Sequence, residues 1–172
     1  MESTSTIITK AWKQGIVIPA FNVPYLPMVE PVIRAVADED SFALVELARL
    51  EWVKFEAGSL EAVQAEFAKH QRPRHVRLHL DHVPVIDEDG QKVDYLEVIE
   101  RALRCGYQSV MVDGSRLPLA GNIAATRRVA EMAHRAAVPC EAELGAVLGH
   151  EAGPLPPYEE LFRSGQGFTA VD

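Results

Sequence analysis

Acidic residues close successive apolar runs of this chain at a nearly constant interval. Asp81 ends His75-Val-Arg-Leu-His-Leu-Asp81, Asp113 ends Ser109-Val-Met-Val-Asp113, and Glu143 lies near the end of Val138-Pro-Cys-Glu-Ala-Glu-Leu144. The intervals are 32 and 30 residues, room for one helix, its two connections and the next strand. Between the runs the apolar period changes from that of a strand to that of a helix. Asp94 with Glu97 resembles a capping box, and the helix it opens runs to Cys105, where Gly106 stops it. A further helix is predicted from Asn122 to Ala137. Strand followed by helix, repeated, means a parallel sheet with helices outside it.

The same alternation extends toward the N-terminus. Ile7 to Lys13 is a short amphipathic stretch, and Gly15 to Val23 is a β-branched run closing in the polar Asn22. Pro27 to Ala37 carries Met28, Val32, Ile33 and Val36 at helical spacing. Phe42 to Ala48 reads as a second strand, and Leu60 to Phe67 as a helix behind the capping Ser59. Tyr158 to Arg163 is a short acidic helix. Five strands are thus predicted.

Composition narrows the function classes. Apolar residues make up 48% of the 172 and charged residues 24%, as in a globular protein, and the net charge is −8. No cluster of Lys and Arg offers a phosphate-tracking surface, so nucleic acid is not an expected partner. No run approaches the ~20 apolar residues that span a bilayer, and no membrane association is expected. Cys105 and Cys140 lack CxxC spacing, and the first residues carry no secretion pattern. Both fit reduced thiols and a cytoplasmic location.

Polar residues that recur at strand ends point to a (β/α)8, or TIM, barrel, in which those ends converge on one mouth. A doubly wound sheet places ligands at the same end, but no glycine fingerprint follows the first strand here. A closed barrel needs eight strands and typically ~250 residues. Residues 1–172 therefore read as one domain holding about the first five βα units, cut short at its C-terminal side.

The chemistry-bearing residues concentrate at those ends. His79-Leu-Asp81-His82 sets imidazole beside carboxylate, a pairing suited to holding a metal ion and moving a proton. A strand-end ion pair or a hydrogen-bonded core histidine accounts for the same tetrapeptide. Glu141 and Glu143 fall on one side of a strand by the period of two, where like charges are costly without a cation or a pKa shift. Asp113-Gly-Ser115 is first of all a turn signal. The joint placement of Asp81, His82, Asp113 and Glu143 on consecutive strand ends is what separates a site from accident. Cys140, inside a strand, reads as an inert thiol.

These residues resemble the class II, metal-dependent fructose-bisphosphate aldolases and their tagatose-bisphosphate relatives. The resemblance runs through Ala20-Phe21-Asn22-Val23, Leu78-His79-Leu80-Asp81-His82, Ser109 to Ser115 with Leu117-Pro118 and Asn122-Ile123-Ala124, and Glu141-Ala-Glu143-Leu-Gly145 with Gly149 and Glu151. It implies a TIM barrel assembled as a homo-oligomer, acting in carbohydrate metabolism such as glycolysis. The implied reaction is reversible cleavage of a ketose bisphosphate, a sugar-phosphate substrate, to dihydroxyacetone phosphate and an aldehyde. The implied metal is one catalytic zinc, with room for a second divalent ion. His82 would be a zinc ligand, and Asp113 and Glu143 would bind a second or displaced ion. Asp81 would exchange the proton at the bond being broken, and Glu151 would shuttle the carbon-bound proton. Asn22 and Ser115 would line the substrate cavity.

Four positions depart from the family pattern. Val83 follows the HxDH motif where a small residue is usual, and Glu46 and Ala48, followed by Arg49, stand where Gln and Ser are usual. Arg116 stands where His is common. The family's other two zinc histidines and its phosphate-holding glycine loops come from strands beyond the fifth. The expectation is therefore an isolated chain that is inactive, binds zinc poorly and associates. Two alternatives remain: a non-catalytic aldolase-like subunit, or a divergent aldolase acting on another carbonyl substrate.

Overall fold

The computed structural model describes residues 2–145 and 156–164. Five parallel strands form one sheet in the order β1-β2-β3-β4-β5: Ala20–Asn22, Ala43–Ala48, Val76–Pro84, Ser109–Asp113 and Cys140–Ala142. Each strand pairs with its sequence neighbour, the order in which the strands of a barrel succeed one another. The expected fold class holds: an α/β sheet of the TIM-barrel kind, part of the barrel being present. Helices α1 (Thr4–Gln14), α2 (Val29–Asp38), α3 (Arg49–Val53), α4 (Leu60–His70), α5 (Tyr95–Cys105), α6 (Leu119–Arg135) and α7 (Tyr158–Ser164), with a 3-10 turn at Leu26–Met28, complete the described elements. Among the described residues no helix is long and apolar enough to cross a membrane.

The strand pleat separates two kinds of chemistry. Val45, Leu47, Val76, Leu78, Leu80, Val110 and Val112 are buried in one apolar cluster with Ile33, Val63, Phe67, Ile99, Val129 and Ala133 of the helices. At ~25 cal/mol per Å² of apolar surface, this layer is the main stabilising term. The alternate positions carry Asn22, Glu46, His79, Asp81 and Glu141. Cross-strand register sets Asn22 beside Glu46 and Glu46 beside His79. The polar residues of β1 to β3 thus meet as one row on the face away from the helices.

Several element bounds differ from the sequence expectation for local reasons. The run from Gly15 to Val23 yields a strand only at Ala20–Asn22. Gly15 at φ 68° closes α1, the Ile16 amide donates back to the Ala11 carbonyl, and Pro19 has no amide to give a ladder. The fifth strand is likewise shorter than Val138–Leu144, which leaves Glu143 just past its end. The third strand is longer than expected and carries His82 within it. Helix α6 starts three residues earlier than Asn122, behind Pro118, and the short α3 after β2 was not expected. Helix α5 conforms: the Asp94 side chain accepts from the Glu97 amide, and Gly106 stands at φ 94°.

Candidate metal centre and substrate cavity

His82 owes its direction to a defect in the sheet. The β3–β4 pairing runs through Leu80 and resumes at Val83 after a register shift, and His82 between them holds φ 34°. Bulges re-aim side chains beside functional sites, and a left-handed non-glycine residue costs of order 1–3 kcal/mol. The result is that His82 and Asp81, though adjacent, both reach the open strand ends. His82 Nδ1 lies 3.5 Å from Asp113 Oδ2 and 3.5 Å from Glu143 Oε2, and its Nε2 lies 4.0 Å from Asp81 Oδ1. Four of the residues singled out in the sequence therefore converge on one place.

Each carboxylate of the group is positioned from a different element. Asp113 Oδ1 accepts the Ser115 amide at 2.8 Å. Ser115 is buried against Asp113 and is not among the residues lining the cavities of this face. Asn122, on α6, donates to the Glu143 carbonyl at 2.8 Å and ties the end of β5 to the helix before it. Asn22 Nδ2 donates to Asp81 Oδ2 at 3.0 Å, fixing that carboxylate from β1. Glu151 lies outside the described residues.

Electrostatics follow from burial and like charge. The Asp113 carboxylate raises the pKa of the His82 imidazole to about 9, against the effect of burial. Burial alone would raise Asp113, but hydrogen bonds from His82 and Ser115 hold it below its ordinary value. A second group, Glu46, His79 and Asp81, has donor atoms all within 4.8 Å of one another. Burial, and then the charge of Asp81, pushes Glu46 up to about 8. Burial keeps His79 neutral, and its Nδ1 has no hydrogen-bond partner among the described residues. Burial and the Glu141 charge push the Cys140 thiol up to about 11, which makes it inert as expected.

A cavity of about 530 Å³ opens beside His82, its walls including Asn22, Asp81 and Asp113. Comparison with known proteins then decides the family. The family model described as class-II fructose-bisphosphate aldolase matches residues 2–169. The chain belongs to the class II fructose-bisphosphate aldolase family. The solved YdjI aldolase from Escherichia coli K12 is similar at 26% identity and TM-score 0.62, over 80% of this chain and 49% of that one. Fructose-bisphosphate aldolase from Campylobacter jejuni shares the fold at 20% identity and TM-score 0.63, over 84% of this chain and 46% of that one. This aldolase-family chain thus spans about half the length of those structures.

Class II aldolases are generally metal-dependent, and the donor set here suits a divalent cation. Bonds of ~2.0–2.2 Å at tetrahedral angles put neighbouring donor atoms ~3.3–3.6 Å apart. The two 3.5 Å separations around His82 Nδ1 have that size. One imidazole and two carboxylates also balance a double positive charge. Sequence reading marked Glu46, Arg49 and Arg116 only as departures from the family pattern and missed Glu51; Glu51, Arg49 and Arg116 line the cavity. For Glu46 the signal was available: it is the only carboxylate in the second apolar run, near that strand's end.

Proposed function

We propose that this chain contributes the first five βα units of a metal-dependent aldolase. The reaction is reversible cleavage of a ketose bisphosphate, such as fructose 1,6-bisphosphate, to dihydroxyacetone phosphate and an aldehyde. The observation that carries this reading is the convergence of His82, Asp113 and Glu143 beside Asp81 at the strand ends. His82, Asp113 and Glu143 would hold the cation, with zinc the preferred ion, and a second divalent ion has carboxylates to spare. When bound, the ion supplies Lewis-acid polarisation of the substrate carbonyl.

The chain's own residues do the rest. Asp81 takes the proton from the substrate hydroxyl at the carbon–carbon bond being broken and returns it in the reverse direction. Asn22 holds the Asp81 carboxylate through one oxygen, which leaves the other for that proton. Asn22 also belongs to the cavity wall, where it orders the substrate. Ser115 acts through Asp113, keeping that carboxylate ionised and aimed. Glu151 would carry the carbon-bound proton. The working protein is a cytoplasmic homo-oligomer.

The test is aldol cleavage by the protein with its barrel completed, beside residues 1–172 alone. Dihydroxyacetone phosphate is trapped by a coupling glycerol-3-phosphate dehydrogenase that reduces it with NADH, before and after prolonged exposure of the protein to EDTA. The completed protein turns over and loses activity on chelation, and the 172-residue chain is inactive. Cleavage that survives chelation contradicts the reading.

A further inference from the structure

Two residues back along the strands from the Ala48–Asp81 pair, Glu46 on β2 stands beside His79 on β3. Donor atoms of Glu46, His79 and Asp81 all lie within 4.8 Å of one another, a group that shares no residue with His82, Asp113 and Glu143. From β5, Glu141 Oε2 reaches to 3.5 Å from His79 Nε2. Glu46 stands where the family pattern has Gln, so the carboxylate that completes this group is a feature of this chain.

The His79 ring has room for a partner. It is 1% exposed, and its Nδ1 is without a hydrogen bond among the described residues. An unpaired polar atom so far from water is costly and calls for a ligand. The carboxylates are no better satisfied. Glu46 receives no hydrogen bond among the described residues, and the charges of Asp81, Glu141 and Glu51 act on it, opposed by His82. A cavity of about 630 Å³ on this face has Glu46, Asp81, Glu141 and Glu143 in its wall, and no lysine or arginine among the described residues there. Like charges gathered away from water are costly unless a cation joins them. Asp81 is the exception, since Asn22 already holds one of its oxygens.

We propose that Glu46, His79 and Glu141 form an inner binding site for a divalent transition-metal ion, with Asp81 adding its charge at the edge. One imidazole among so many carboxylates suits Mn²⁺, whereas magnesium and calcium sites are built from oxygen alone. The ion gives His79 the partner it lacks and neutralises the acidic row of the sheet. It is distinct from the ion that Asp113 and Glu143 would take. The aldolase reading assigns no role to Glu46, His79 or Glu141, so the inner site stands apart from it.

The test counts Mn²⁺ bound to residues 1–172 by electron paramagnetic resonance. The unaltered chain holds two ions, one at each centre, and Glu46→Gln, which keeps the side chain's shape, holds one. His82→Ala dismantles the other centre and retains the inner ion, whose pulsed spectrum shows nitrogen coupling from a bound imidazole. Adding Glu46→Gln to that variant weakens the ion about tenfold or more, since loss of even an outer partner of a ligand costs that much, and removes the coupling. Glu100→Gln on the exposed face of α5 changes neither. A Glu46→Gln chain that binds as many ions as the unaltered one, and as tightly, overturns the inner site whatever the folding of His82→Ala. An ion in His82→Ala without nitrogen coupling overturns it as well. Loss of the His82 ion with the inner one kept counts against the aldolase centre alone, so the two readings fail separately.

Discussion

Asp81 and His82 are neighbours with separable roles. Asp81→Ala removes a proton carrier, so turnover of the completed enzyme falls ~10²–10⁴-fold while its metal content stays near that of the unaltered protein. His82→Ala removes a ligand, so metal content falls with activity. Metal analysis beside kinetics checks both, and the reverse pattern exchanges the roles. Glu46 gives a different signature, in stability. Its pKa rises from an ordinary 4.5 to about 8 in the folded chain. Between those values the unfolded chain has lost the proton and the folded chain holds it. Unfolding then releases a proton, and stability falls as pH rises across that window. Above it the cost of the buried charge is present in full. Glu46→Gln in EDTA therefore gains little in Tm near pH 4.5 and most near pH 9, and a difference constant with pH contradicts this account. His79 is the residue the sequence could least interpret. Its motif suggested a metal ligand or a core histidine, and only the sheet register shows a buried imidazole beside Glu46.

At the scale of elements, the turn after β4 couples the site to α6. A Cβ at Gly114 would overlap the amide of Asn122, the group that holds the Glu143 carbonyl. Gly114→Ala therefore displaces Asn122, costs about 1–3 kcal/mol as overpacking does, and loosens Glu143. A lowered Tm accompanied by weaker metal binding is the expected pair of results; a lowered Tm with metal affinity unchanged separates the turn from the site. The sequence showed β4 and α5 within their observed bounds because strong local signals, an apolar run and a capped helix, set their limits. It overextended β1 and β5, where apolar residues continue beyond the hydrogen-bonded ladder. It stopped β3 at Asp81 because a carboxylate looks like an end. The bulge that keeps β3 going and turns His82 arises from pairing with β4, a contact no local pattern encodes.

For the whole molecule, β1 and β5 lie at the edges of the described sheet, each paired on one side. Parallel sheets are stable when both faces are covered, and among the described residues one face carries the charged row of Glu46, Asp81 and Glu141 without a helix layer over it. Sheet edges and uncovered apolar side chains promote association. Residues 1–172 expressed alone are accordingly expected to sediment as oligomers, and a monodisperse monomer would contradict this. The five-unit architecture was legible from the 32- and 30-residue spacing of Asp81, Asp113 and Glu143, because a parallel barrel has to repeat. The cavity walls were not, since Arg49 and Arg116 share one cavity only through the order of β2, β3 and β4.

The central claim is that His82, with Asp113 and Glu143, makes a divalent metal centre. X-ray absorption at the zinc edge, on the zinc-loaded chain, tests it most directly. The account predicts nitrogen and oxygen donors at ~2.0–2.2 Å, with the outer-shell scattering of an imidazole that disappears in His82→Ala. Sulfur donors at ~2.3 Å, or a spectrum unchanged by His82→Ala, would contradict it.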